Sequence, residues 1–125
     1  MARMTSTRRR WRFYTTSSGR QPVREFLDDR LLPEADRAEI VAAMQRVRVG
    51  GLVIARHLRV DIFEIRAEGR DASCRLLFAT EGASSQVLLA LTAFSKKTQR
   101  TPRRELDLAE RRLADWRSRS RRAAR

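Results

Sequence analysis

The stretch Gln86 to Arg104, QVLLALTAFSKKTQRTPRR, sets the frame for the rest of the chain. An apolar run of strand length, Val87 to Phe94, passes directly into Lys96 and Lys97 and then into Thr101-Pro102, a helix start. A buried strand that ends in two ammonium groups beside a helix N-terminus is an arrangement suited to holding a phosphate. Upstream, Leu58 to Ala67 and Cys74 to Thr80 read as two further strands, joined by the Glu68-Gly69-Arg70-Asp71 turn, and Glu81 to Ser85 connects them to Gln86 to Ser95. Three strands with short turns between them imply an antiparallel meander.

Working outward, Trp11, Phe13 and Thr15 alternate with Arg12, Tyr14 and Thr16, the period of a half-buried strand that would join the meander at an edge. Pro22 and Pro33 each fit the first turn of a helix. Val23, Phe26 and Leu27 line one side of the first, and Ile40, Val41, Met44 and Val47 line one side of the second, which Gly50 and Gly51 end. Thr101 as N-cap and Pro102 as first residue open the last helix. Its stripe of Leu106, Ala109, Leu113 and Trp116 docks either on the body or on a partner chain. The expected fold is α+β: an antiparallel four-stranded sheet, an N-terminal helical hairpin on one face and a C-terminal helix. The expected division is a flexible basic arm over residues 1–10, one domain over 11–116 and a basic tail over 117–125.

Alternation then assigns faces. If Phe63 and Ile65 meet the hairpin, Glu64 and Arg66 point the other way; if Cys74, Leu76 and Phe78 point inward, Arg75 points outward. Arg66, Arg75 and Lys96 would share the face that the hairpin leaves open, and a slip of one residue in either strand would separate them.

Charge placement fits a polyanion partner. The net charge is +13, of which residues 1–12 carry +5 and residues 96–125 carry +8, while residues 13–95 balance with eleven of each sign. Only Lys96 and Lys97 of the 28 basic residues are lysine, and a lysine, unlike a guanidinium, can give up its proton. One cysteine, Cys74, excludes an intrachain disulfide, and with one histidine it leaves no set of ligands for structural zinc. The arginine-rich start has no apolar region behind it, and no run of roughly 18 apolar residues occurs, so the expected location is the cytoplasm, without a membrane anchor.

Taken in order, Phe13-Tyr14, Gly19 to Val23 (Gly-x-x-Pro-Val), Phe63-Glu64-Ile65-Arg66, Cys74-Arg75-Leu76-Leu77-Phe78, Ala93-Phe94-Ser95-Lys96-Lys97 and Thr101-Pro102 resemble the RelE/HigB-like toxins of bacterial type II toxin-antitoxin systems, in particular their phage-derived branch. The resemblance runs over residues 11 to 116. It implies a metal-independent endonuclease that cuts mRNA on the ribosome and is silenced by a cognate antitoxin, usually of helix-turn-helix type, with no cofactor. It maps the working residues to Arg66, Arg75, Lys96 and Lys97. Cys74 stands where an aromatic is common and Thr92 where related chains often carry histidine, so a histidine-dependent proton transfer does not carry over.

Cleavage of RNA by its own 2′-OH needs a proton acceptor, neutralisation of the phosphorane and a proton for the leaving 5′ oxygen. Arg66 and Arg75 suit the second task as planar forks, and Lys96 or Lys97 the second or third. Glu64 is a candidate base or an ordinary partner of Arg66 or Arg75. His57, the sole histidine, is a candidate acid or base or a surface residue. Arg100, Arg103 and Arg104 are candidate RNA contacts, and Phe94 and Tyr14 either stack bases or pack. The alternative is a binding relative without chemistry, gripping nucleic acid or a host factor such as gyrase.

Overall fold

The computed structural model describes residues 8–69, 73–96 and 100–124. Among the described residues, five strands and three helices follow in the order β1 (Arg10–Phe13), α1 (Pro22–Asp28), α2 (Glu34–Gly50), a 3-10 turn (Leu52–Ile54), β2 (Arg56–Arg59), β3 (Ile62–Glu68), β4 (Ser73–Glu81), β5 (Val87–Lys96) and α3 (Arg103–Ala123). They form one mixed sheet of order β1-β5-β4-β3-β2, antiparallel except that β1 runs parallel to β5.

The α+β class therefore holds, and the four-stranded antiparallel sheet is corrected on two points. First, the run read as one strand, Leu58 to Ala67, is two. The chain reverses at Val60-Asp61, where Val60 takes a positive φ of 26° and is 80% exposed. A β-branched valine is a poor left-handed residue, and nothing in Arg-Val-Asp-Ile carries the glycine or asparagine that marks a two-residue turn. Second, β1 reaches its edge position through α1 and α2, and a crossover connection of that kind permits a parallel pair.

The helices sit on both faces. Val23 and Leu27 of α1 and Ile40, Ala43, Met44 and Val47 of α2 pack with Ile65, Ala67, Cys74, Leu76, Phe78, Leu88 and Ala90 on one side of the sheet. α1 rests mainly on β5 and α2 on β3 and β4, so the two helices make their principal contacts with the sheet instead of forming a mutually packed hairpin. Trp11 ties β1 to this layer: its indole N–H donates to the Met44 carbonyl at 2.8 Å and its ring meets Phe78 edge-on at 5.1 Å.

α3 covers much of the opposite face, the one expected to stay open. Ala109 and Leu113, flanked by Leu106 and Trp116, pack on Tyr14, Ile62, Leu77, Ala79, Leu89 and Leu91. The apolar stripe thus docks on the body. α3 also runs through the region read as a tail: Arg117 bridges Asp61 at 2.9 Å and Glu81 at 2.8 Å, and Arg12 lies over the Trp116 ring at 4.9 Å. Similarly Arg10, placed in the arm, opens β1.

Tyr14 anchors α3 to the first strand through a hydroxyl that donates to Asp115 Oδ2 at 2.6 Å. Burial, then the neighbouring carboxylate, pushes the phenol pKa up, while the hydrogen bond from Tyr14 holds the Asp115 carboxyl below its usual range. Tyr14→Phe should cost about 1 kcal/mol in urea denaturation near neutral pH. The Asp115 contribution is present above the unfolded carboxylate pKa and fades as pH falls through the lowered folded value. The Tyr14 contribution is present below the unfolded phenol pKa and fades as pH rises through the raised folded value. The gap between wild type and Tyr14→Phe should therefore narrow at both extremes of pH.

Candidate nucleic-acid interface

Three rows of cross-strand partners build the site. Arg66 of β3 faces Arg75 of β4, which faces Phe94 of β5; beside this row lie Glu64, Leu77 and Thr92 on one side and Glu68, Ser73 and Lys96 on the other. Residues directly opposed across a sheet share a face. This is the α3 side, because Leu77 and Phe94 belong to the layer under α3.

Two bulges decide which cations reach that face. Leu77 pairs with Thr92 but Phe78 pairs with Ala90, leaving Leu91 as an extra residue in β5. Leu89 and Leu91 face α3 before the bulge, and the reset parity turns Thr92, Phe94 and Lys96 to the same side after it. The same happens in β2, where His57 pairs with Phe63 but Arg59 pairs with Ile62, so Leu58 is the extra residue. Arg59 is thereby turned toward α3, where it meets Asp107 at 3.2 Å and Glu110 at 2.5 Å.

The open end of this face, beyond the cover of α3, is a basic groove. One concavity of about 590 Å³ is lined by Arg59, Lys96, Arg100, Thr101, Pro102, Arg103 and Leu106. A second, of about 350 Å³, is lined by Arg56, Leu58, Arg66, Arg100 and Thr101. They share Arg100 and Thr101, and among the described residues no carboxylate lines either one. The N-terminus of α3 opens at Pro102 with no side-chain cap, and its first-turn dipole adds to the field of the cations.

Thr101, expected as the N-cap, is used differently: its hydroxyl donates to Glu64 Oε2. Glu64 is 1% exposed, and its other oxygen accepts from Arg66 Nε at 2.7 Å. A buried carboxylate persists only where its lone pairs are met and its charge is balanced. The ion-pair reading of Glu64 is therefore the one realised, with Arg66 as its partner.

Of the other expected residues, Lys96, Arg100 and Arg103 line the groove, and Phe94 lies half-buried between Lys96 and the α3 layer. Arg104 is exposed in the first turn of α3 without lining either concavity. Arg75 joins the row but not the surface. It is fully buried, its Nε donates to Ser73 Oγ at 3.3 Å, and burial, reinforced by the Arg66 charge, lowers its pKa. Such a guanidinium sends its field into the groove from below and does not touch a bound phosphate directly. Tyr14 packs in the α3 layer.

His57 is turned away from the groove. Its ring lies against Phe63 at 5.1 Å, on the α2 side, and its Nε2 is 2.7 Å from the Val60 carbonyl. It is a turn residue with no route to a phosphate held on the α3 side. Thr92 is buried at 2% exposure with its hydroxyl oxygen lacking a hydrogen-bond partner among the described residues, so it offers no proton to the groove. Lys97 lies outside the described residues. Arg56, Arg59 and Thr101 were not anticipated as groove residues. The signal for the first two was present as basic neighbours of His57, but only the β2 bulge gives Arg59 its direction.

Comparison with known proteins identifies the family. The model of the family described as Phage derived protein Gp49-like (DUF891) matches residues 25–114, from α1 through most of α3. A protein of Mycobacterium tuberculosis, found in strains CDC 1551/Oshkosh and ATCC 25618/H37Rv and named Probable endoribonuclease HigB1, is 35% identical over 108 residues, which cover 85% of this chain and 83% of the relative.

Proposed function

The chain belongs to the phage-derived Gp49-like family, and from that membership together with the basic groove we propose that it is the endoribonuclease toxin of a toxin-antitoxin pair, acting on mRNA at the ribosome in the cytoplasm. The observation that carries the reading is the groove itself: Arg56, Arg59, Arg66, Lys96, Arg100 and Arg103, from two strands at one edge, a third strand and the start of a helix, with no carboxylate among the described residues of the lining. The named activity of the mycobacterial relative supports it.

The reaction it would run is transesterification. The 2′ oxygen attacks the adjacent phosphorus as the bond to the 5′ oxygen breaks, leaving a 2′,3′-cyclic phosphate and a 5′-OH. Water takes the proton from the 2′-OH. Arg66 neutralises charge on the phosphorane, and the Lys96 ammonium stabilises and then protonates the leaving oxygen. Arg75 contributes from beneath as a fixed positive field, and Arg100 and Arg103 hold the flanking phosphates. The neutralisation is assigned to side chains alone, so cleavage of RNA supplied without ribosomes should persist in EDTA.

The antitoxin is the natural protein partner, and an acidic segment of it laid along the groove would silence the enzyme by charge alone. The helix-turn-helix type of antitoxin is part of the same proposal.

The burial of Thr92, in place of a groove-facing histidine, favours a second reading: a relative that grips RNA without cutting it. One experiment separates them. Purified protein is mixed with mRNA, with and without ribosomes, and the ends are analysed. New 5′-OH and cyclic-phosphate ends support the nuclease; binding without new ends supports the second reading; neither activity sinks both. RNA affinity should fall steeply with salt in either case, with a log-log slope of about −0.7 for each phosphate contacted.

A further inference from the structure

We infer that Glu64 is a positioning residue that joins two walls of the groove, a role that rests on the nuclease reading and extends it. Glu64 leaves β3 in the row of Leu77 and Thr92, both buried, so a carboxylate there has exchanged water for protein on every side. Its two oxygens are met by groove residues from different elements: Arg66 of β3 on Oε1 and the Thr101 hydroxyl, from the segment leading into α3, on Oε2. Across the β2 pairing, Arg56, another groove residue, stands directly opposite it.

Each bond fixes something that cleavage would need. An arginine side chain carries about 2 kcal/mol of rotamer entropy, and its fork recognises phosphate only when its plane is set. The bond from Nε to Glu64 sets that plane for Arg66 before any RNA arrives. Thr101 sits between Arg100 and Arg103, so holding its hydroxyl fixes where the backbone presents these two cations and where α3 begins. Glu64 itself does not line the groove. It acts through Arg66 and Thr101, and it accounts for a threonine at a helix start whose hydroxyl does not cap the helix.

A positioning role predicts loss in turnover more than in binding, because displacement of a catalytic group by about 1 Å is worth up to about 100-fold. The experiment compares wild type, Thr101→Val, Thr101→Ser and Glu64→Gln on whichever RNA substrate the wild type cuts, free or ribosome-bound. Melting temperature and RNA affinity are measured alongside. Thr101→Val, a change at the groove surface, should lower kcat about 10-fold with KM within about 2-fold, and Glu64→Gln should lower kcat about 100-fold. Thr101→Ser, which keeps the hydroxyl, should return kcat to within about 2-fold of wild type.

The inference is overturned if Thr101→Val and Glu64→Gln turn over like wild type, or if KM rises while kcat holds. It is also overturned if Thr101→Ser fails to restore kcat, since the loss would then not belong to the hydroxyl. A wild type that binds RNA but cuts none removes the nuclease reading first, and the positioning role with it.

Discussion

Lys96→Ala is expected to lower RNA cleavage by about 100- to 1,000-fold while changing stability by less than about 0.5 kcal/mol. The stability half follows from how Lys96 is held. It ends β5 on the groove wall, half-exposed, and the hydrogen bond it shares with Ser73 uses its backbone carbonyl, which alanine keeps. The activity half follows from where charge appears. In the ground state each phosphate carries one negative charge, already met by several arginines; the phosphorane and the departing 5′ oxygen carry more. A donor that matters chiefly to that extra charge is read out in kcat. Single-turnover cleavage of a defined RNA, together with a urea titration, checks both halves. Full activity in a folded Lys96→Ala protein would move the chemistry elsewhere in the groove.

Arg66→Ala is expected to show the largest loss of stability of the changes considered, about 3–5 kcal/mol, because it strands a buried carboxylate. The Arg66 side chain is 19% exposed while that of Glu64 is fully buried, so the two partners are unequal: removing the arginine leaves a charge that water cannot reach. The control is Arg66→Ala with Glu64→Gln. With the charge gone, the double variant should recover a large part of the loss, and the shortfall from additivity measures the coupling. Denaturation of the four proteins in the cycle gives the numbers. If Arg66→Ala loses less than about 1 kcal/mol, Glu64 is balanced by another group and the pair is not what holds it. The contrast with Lys96 matters for reading any alanine scan here, since loss of activity in Arg66→Ala mixes misfolding with chemistry.

The two faces of β3 and β4 follow from strict alternation, and Ile65, Leu76 and Phe78 pack where that rule places them, with Arg66 and Arg75 opposite. The stripe of Leu106, Ala109, Leu113 and Trp116 likewise marks a helix that must bury one side. Burial of Arg75 was not legible, because a lone arginine in an apolar strand looks the same whether its face is open or roofed. The β2–β3 turn was hidden by Val60, which adopts a backbone conformation that its residue type disfavours, held by the pairing on either side.

Composition and pattern alone settled that this is a cationic α+β domain, with a neutral body, charged ends and a lysine pair directly after the last apolar run of the sequence. Those properties are local: period, turn chemistry and charge depend on neighbours along the chain. That Arg59 joins the expected cations was decided only in three dimensions, by an extra residue at Leu58, and it is another at Leu91 that holds Lys96 on the expected side. Each bulge reverses the parity of everything after it, bringing Arg59 and Lys96 to the side of Arg66. A bulge is a property of two paired strands, set by what each must bury against its partner, and so no single stretch of sequence contains it.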